Sequence, residues 1–191
     1  MKKWQNFYFQ RMSQIIDGSE TLETVYESVS DFGIWCKDIP FKIFEKVKNP
    51  AVRTWNDEHG DDEYIPSGGL WLESYEMDVE FGCKKMTGTI DGASTRYISD
   101  VRVAVGNFLN WLRRNGEINL YSSWTRIGRQ KVRLVSVDND AHWEPDSSDA
   151  EFLVFKVRFK VNDPNTDIVL TPTNEEEEEE LVESEDLPGE E

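Results

Sequence analysis

Two stretches of the chain alternate so strictly between apolar and polar residues that each reads as a strand with one wet face. In 72–84, Tyr75, Met77, Val79, Phe81 and Cys83 alternate with Ser74, Glu76, Asp78, Glu80 and Gly82. In 151–161, Leu153, Phe155, Val157, Phe159 and Val161 point one way, and Val154, Lys156, Arg158 and Lys160 the other. A period of two is that of extended backbone. Asn162-Asp163-Pro164 is expected to end the second strand. Between them the period changes. Ile98, Val101, Val105, Phe108 and Leu112 form one stripe, widened by Ala104, Leu109 and Trp111, which predicts a helix over 97–115. Ser94 or Thr95 can cap its start, Arg113 and Arg114 suit the negative end of its dipole, and Asn115-Gly116 is a stop signal.

The remaining segments carry weaker signals. Residues 118–122 and 131–137 read as strands joined by a turn over 123–129 that contains Gly128. Residues 33–37 read as a short strand ended at Ile39-Pro40-Phe41, because proline removes a backbone donor. In 19–29, Leu22, Val25, Tyr26 and Val29 have helical spacing, yet Thr, Val and Tyr favour strands, so helix and strand both stay open. The aromatic residues Trp4, Phe7, Tyr8 and Phe9 need an apolar surface, which makes 1–18 a short strand or a docking arm. Residues 49–69, with Pro50, Gly60, Pro66, Gly68 and Gly69, read as a long loop, a kind of segment that is often functional. A Gly-rich break over 87–94 and a polar loop over 138–149 complete the chain. The expected class is α+β, a mostly antiparallel sheet packed on one main helix. The expected divisions are an N-terminal element over 1–30, the α+β domain over 31–173 and a disordered acidic tail over 174–191.

Charge sharpens this division. The net charge is −17, but residues 175–191 hold eleven of the 38 acidic residues and no basic one. Removing those eleven leaves 27 acidic against 21 basic residues in 1–174, a net of −6. Such a surface is a poor ligand for free nucleic acid, which needs clustered Lys and Arg. Aromatics make up 12% of the chain, more than an acidic surface can expose, so most belong in a core or an interface. Cys36 and Cys83 lie in apolar strand-like segments and read as buried free thiols. No run approaches the roughly 20 apolar residues of a membrane span. The first ten residues lack a cleavage site, so folding in a cytoplasm is expected.

The search for chemistry yields little. Asn56, Asp57, Glu58, Asp61, Asp62 and Glu63 surround His59 and could offer oxygen ligands to a hard cation, but their spacing is not that of a calcium loop. The preferred reading is a solvated acidic loop, or one that pairs with a basic partner. His142, beside Trp143 and Asp140, has no nucleophile in a recognisable context. No catalytic, cofactor or metal residue is therefore assigned. Arg126, Arg129, Lys131 and Arg133 form a basic segment. In an extended chain Arg129, Lys131 and Arg133 would share one face, opposite Val132 and Leu134. That face is either a contact surface for an acidic patch or an ordinary wet strand charged against edge pairing.

Several stretches resemble small structural proteins encoded in prophages. They are Asp31-Phe32-Gly33-Ile34-Trp35-Cys36-Lys37-Asp38-Ile39-Pro40-Phe41 and Asp57-Glu58-His59-Gly60-Asp61-Asp62-Glu63-Tyr64-Ile65-Pro66. Tyr121-Ser122-Ser123-Trp124-Thr125-Arg126-Ile127-Gly128-Arg129-Gln130 and Phe159-Lys160-Val161-Asn162-Asp163-Pro164 are the others. The element order over 31–170 is similar to that of the phage tail-completion class, the tail terminators and head–tail connectors. The resemblance implies a ring-forming, non-catalytic virion subunit at the neck or tail end that joins head and tail components. It implies no cofactor, and other neck or tail proteins as partners. Its place would be the virion, and the host cytoplasm during assembly. DNA would pass through the lumen without sequence-specific contact, and no membrane is involved. A ring needs one patch to meet a different patch on the next copy. The expected patches are Asp57, Glu58, Asp61, Asp62 and Glu63 against Arg126, Arg129, Lys131 and Arg133, with Trp55, Trp71 and Trp124 as anchors, or else as core residues. The competing expectation is a monomeric acidic binding module or inhibitor that engages a basic protein.

Overall fold

The computed structural model describes residues 4–12, 15–16, 19–20, 23–43, 46–56, 59–84, 101–138, 142–145 and 151–171. In chain order the elements are β1 (Tyr8–Arg11), β2 (Ile15–Ile16), β3 (Ser19–Glu20), β4 (Val25–Glu27), α1 (Ser28–Phe32), β5 (Ile34–Asp38), β6 (Ala51–Thr54), β7 (Asp61–Tyr64), β8 (Tyr75–Lys84), α2 (Val101–Asn115), β9 (Glu117–Ser122), β10 (Ile127–Val137), β11 (His142–Pro145) and β12 (Glu151–Asp167). The class is α+β: an antiparallel sheet of order β4-β1-β9-β10-β12-β8-β5, with β11 on β12 and one main helix. Two small hairpins, β2-β3 and β6-β7, stand outside that sheet.

The sheet curls far enough for the segment leading into β1, the strand next to the β4 edge, to reach β5 at the other edge. Gln5, three residues before β1, exchanges both backbone hydrogen bonds with Cys36 of β5 at 2.8 Å. The N-terminal aromatics are therefore built into the sheet, with β1 between β9 and β4. The ambiguous 19–29 segment carries both kinds of structure, since β4 leads directly into α1. Ser28 locks this corner: its N–H donates to the Phe7 carbonyl at 2.9 Å and its Oγ accepts the Phe7 N–H at 3.0 Å. Gly33 ends α1 with φ 67°, a left-handed conformation that a Cβ would penalise.

The concave side holds the core. Phe7, Phe9, Phe81, Phe108, Phe155 and Phe159 are fully buried, and Phe108 of α2 lies 5.5–6.1 Å from the rings of Phe7, Phe9, Phe32 and Phe81. Each such side chain contributes about 1.5–3 kcal/mol by leaving water. The α2 stripe Val101, Val105, Phe108 and Leu112 is buried as its spacing requires. The first residues of the expected 97–115 helix, with Ser94 and Thr95, lie outside the described residues, as do the 87–94 break and the 174–191 tail.

The wet face of the sheet is held by charge in register. Glu76, Asp78 and Glu80 of β8 stand opposite Lys160, Arg158 and Lys156 of β12. Arg158 donates from Nε and Nη2 to the two Asp78 oxygens at 2.7 and 3.2 Å. Solvent screens exposed pairs of this kind, so they add little stability, but they favour one register. Val154, expected on this face, is buried, because Phe152 and Trp4 cover that end of the sheet with rings 5.0 Å apart.

Four boundaries differ from expectation. β10 begins at Ile127, inside the expected 123–129 turn, because Ile127, Gly128 and Arg129 already pair with β9. β12 does not end at Asn162-Asp163-Pro164 but continues to Asp167. Gln130 pairs with Asp163 and Arg129 with Asp167, so 164–166 bulge out of the ladder. Asp163 organises the bulge: its carboxylate accepts from the N–H of Asn165 and Thr166 at 3.1 Å each and from Thr166 Oγ1 at 2.9 Å. The 49–69 segment is not a plain loop, since it contains β6 and β7. The 138–149 loop contains β11. Finally, Arg129, Lys131 and Arg133 do not share a face. Arg129 opposes Leu120 while Val132 opposes Ile118, so three steps on β10 cover two on β9. Lys131 absorbs the extra residue with φ 52°. Arg129 is thereby carried inward and is only 6% exposed.

Candidate assembly interface

The most unusual feature of the surface is a β-hairpin arm. At its base, Lys48 N–H donates to the Trp71 carbonyl and Glu73 N–H to the Lys46 carbonyl, both at 2.7 Å. Above it, β6 and β7 pair Ala51 with Tyr64 through Thr54 with Asp61. Every residue of both strands is exposed. A sheet residue hidden on neither face explains why no alternation marked these strands in the sequence. Residues 65–70 loop out between stem and base, turning at Pro66–Gly69.

A two-stranded hairpin alone is marginal in water, and this one is braced by its own side chains. Thr54 Oγ1 donates to Asp61 at 2.7 Å, Trp55 Nε1 donates to Asp62 at 2.9 Å, and the Arg53 guanidinium lies 3.6 Å from the Trp55 ring centre. A cation on an exposed ring adds about 0.5–1 kcal/mol. Trp55, expected as an anchor, is thus capped within its own arm and only 38% exposed. The apolar side chains left uncovered are Tyr64 (70% exposed), Ile65 (56%) and Trp71 (64%), with Val52 and Leu70 beside them. Asp61, Asp62 and Glu63 lie on the same arm and are exposed; Asp57 and Glu58 lie outside the described residues.

The basic segment divides. Arg126, Lys131 and Arg133 are exposed. Arg129 is instead a structural clamp: its guanidinium pairs with Asp167 and reaches the carbonyls of Gly128 and Lys42 at 3.3 and 3.4 Å. It ties the end of β12 and the segment after β5 to β10. The turn from β9 to β10 is short. Arg126 N–H donates to the Ser122 carbonyl at 2.8 Å, and Arg126 takes φ 58°. Trp124 rides on this turn and is 73% exposed.

That turn forms one wall of a groove of about 440 Å³ lined by Trp4, Gln5, Asn6, Glu27, Val29, Trp35, Ser123 and Trp124. Its polar wall is pre-arranged. Asn6 Nδ2 donates to Glu27 at 2.6 Å, Ser123 Oγ donates to Asn6 Oδ1 at 3.2 Å, and Ser30 Oγ donates to Glu27 at 3.0 Å. Trp4 is fixed between Phe152 and the Lys37 ammonium, 5.7 Å from its ring centre. The sequence offered no signal for this groove. It exists only because the sheet curls and brings residues 4–6, 27–35 and 123–124 together.

Cys36 and Cys83 are buried, and burial pushes both thiols up to about 12, with Asp38 adding to the rise at Cys36. His59 sits exposed on the arm. Among the described residues no group of three or more His, Cys, Asp or Glu could hold a metal ion, and no helix is long and apolar enough to cross a membrane. Comparison with protein-family models, with curated proteins and with solved structures finds no match.

Proposed function

We propose that this chain is a non-catalytic, self-assembling structural subunit, one that closes into a ring at the neck or tail end of a phage particle and joins head and tail components. The observation that carries the reading is the arm. It is a pre-braced hairpin whose apolar side chains, Tyr64, Ile65 and Trp71, are largely exposed. Exposed apolar groups on a projecting element mark contact surfaces, and the acidic strand beside them matches the exposed cations Arg126, Lys131 and Arg133. The two surfaces lie on different elements, as a head-to-tail contact requires. The phage setting rests on the sequence resemblance, and the acidic 175–191 segment suits a lumen that lets DNA slide without holding it.

A second reading, a monomeric acidic module that engages a basic protein, draws on those eleven acidic residues. Arm and tail variants separate the two. Replacing Tyr64, Ile65 and Trp71 together by serine is expected to abolish self-association with little change in melting temperature, because none of the three is in the core. Truncation after Asn174 is expected to leave assembly intact. If the triple-serine protein sediments as the wild type does, while truncation removes the interaction, the binding-module reading replaces this one.

A further inference from the structure

We propose that the tryptophan-lined groove at Trp4, Trp35 and Trp124 is the receptor for the hairpin arm of a second copy of this chain. The inference rests on the assembly reading above and names the surface that completes it. A ring contact needs a projection and a matching recess on different faces. The arm is the projection. The groove is large enough for bulky side chains but lies at the low end of the roughly 300–1,000 Å³ typical of ligand clefts. Opposite its polar wall it presents three indoles, a side chain enriched where partners contribute binding energy.

Both sides set charge next to apolar groups, acidic on the arm and basic on the turn. On the arm, Asp61, Asp62 and Glu63 run directly into Tyr64 and Ile65. On the turn that walls the groove, exposed Arg126 lies two residues from exposed Trp124. An arm that inserts Tyr64 and Ile65 against the indoles therefore brings its carboxylates towards Arg126, and the next exposed cation along β10 is Lys131. The carboxylate that lines the groove, Glu27, already accepts from Asn6 and Ser30, so it opposes the incoming acids less than a bare carboxylate would. The chain's own groove does not take its own arm, since Tyr64 and Ile65 remain exposed. The contact is intermolecular.

Cysteine cross-linking tests the assignment, because the two native thiols are buried. Ser67→Cys, on the exposed loop of the arm beside the inserted side chains, and Ser123→Cys proteins are purified separately, checked for wild-type melting temperature, and treated with a short bismaleimide alone and as an equimolar mixture. A covalent dimer is expected in the mixture at least tenfold above either protein alone. Adding Trp124→Ala to the Ser123→Cys chain should reduce it several-fold. Equal yields from either single protein would show a symmetric contact and overturn the proposal. If wild type sediments as an oligomer but the mixture gives no dimer, the groove assignment falls and the assembly reading stands. A wild type that stays monomeric at every concentration, with no cross-link, overturns both.

Discussion

Replacing Gly128 by alanine sets a new Cβ 2.3 Å from the Ile168 carbonyl oxygen, 2.8 Å from Ile168 Cγ1 and 3.0 Å from Tyr121 Cδ2. Real Cβ atoms do not approach a backbone oxygen so closely, and that oxygen belongs to the strap that follows β12. The strap must move outward, stretching the bond from Ile168 N–H to the Gly128 carbonyl, already 3.4 Å. It also loosens the nearby pair of Arg129 with Asp167. Overpacking costs about 1–3 kcal/mol, and a lost backbone hydrogen bond about 0.5–1.5 kcal/mol. The expected loss is about 3 kcal/mol, or roughly 6–12 °C in melting temperature for a chain of this size. Gly106 is the internal control. It lies within α2 and a Cβ there meets nothing within 4 Å, so Gly106→Ala is expected to stabilise by about 0.5–1 kcal/mol. Thermal and urea denaturation of both variants read the pair. A Gly128→Ala protein that melts within about 1–2 °C of wild type, well short of the expected shift, would refute the close approach of strap and strand.

Three further substitutions or conditions test other parts of the structure. Phe108→Ala removes the ring on which Phe7, Phe9, Phe32 and Phe81 converge and should cost about 3–5 kcal/mol in denaturant titration, so that a loss under about 1 kcal/mol would place the core elsewhere. Cys36 and Cys83 should resist a thiol reagent at about pH 8 in the native protein and react fully only after unfolding, since burial holds both thiolates out of reach; rapid native labelling would contradict their positions. Burial alone would raise the Asp163 carboxyl, but the Thr166 hydroxyl and the N–H groups of Thr166 and Asn165 outweigh it and hold the group below its usual value. Its contribution is therefore fully present above the unfolded carboxylate range near about pH 4 and is lost as pH falls through the lower folded value. Asp163→Asn should flatten the acid limb of the stability–pH curve, and an unchanged limb would remove Asp163 from that role.

What was legible in the sequence is what has one buried face. β8 and β12 announced themselves because Met77, Val79 and Phe81, and Phe155, Val157 and Phe159, meet the core on every second residue. The α2 stripe did so at a period near 3.6. β6 and β7 were invisible because both their faces are exposed and no alternation is imposed. The extension of β12 past Pro164 was hidden because Asp163 supplies from its side chain the hydrogen bonds that a turn would take from the backbone. Arg129 was misplaced by one inserted residue at Lys131: a bulge shifts every later side chain to the other face, and sequence alternation counts residues without seeing the slip. The acidic 61–63 and basic 126–133 segments were found from charge alone. The groove beside them was not, because its residues are far apart in the chain and gather only when Gln5 meets Cys36.

Self-association is what the proposed role requires, and sedimentation velocity of the full-length protein over a wide concentration series measures it most directly. The expected result is a discrete, ring-sized species that grows at the expense of monomer as concentration rises. Raised salt should shift the equilibrium back towards monomer, since acidic arm and basic turn attract across a screened surface. A single species of monomer mass across the whole series would contradict the assembly role.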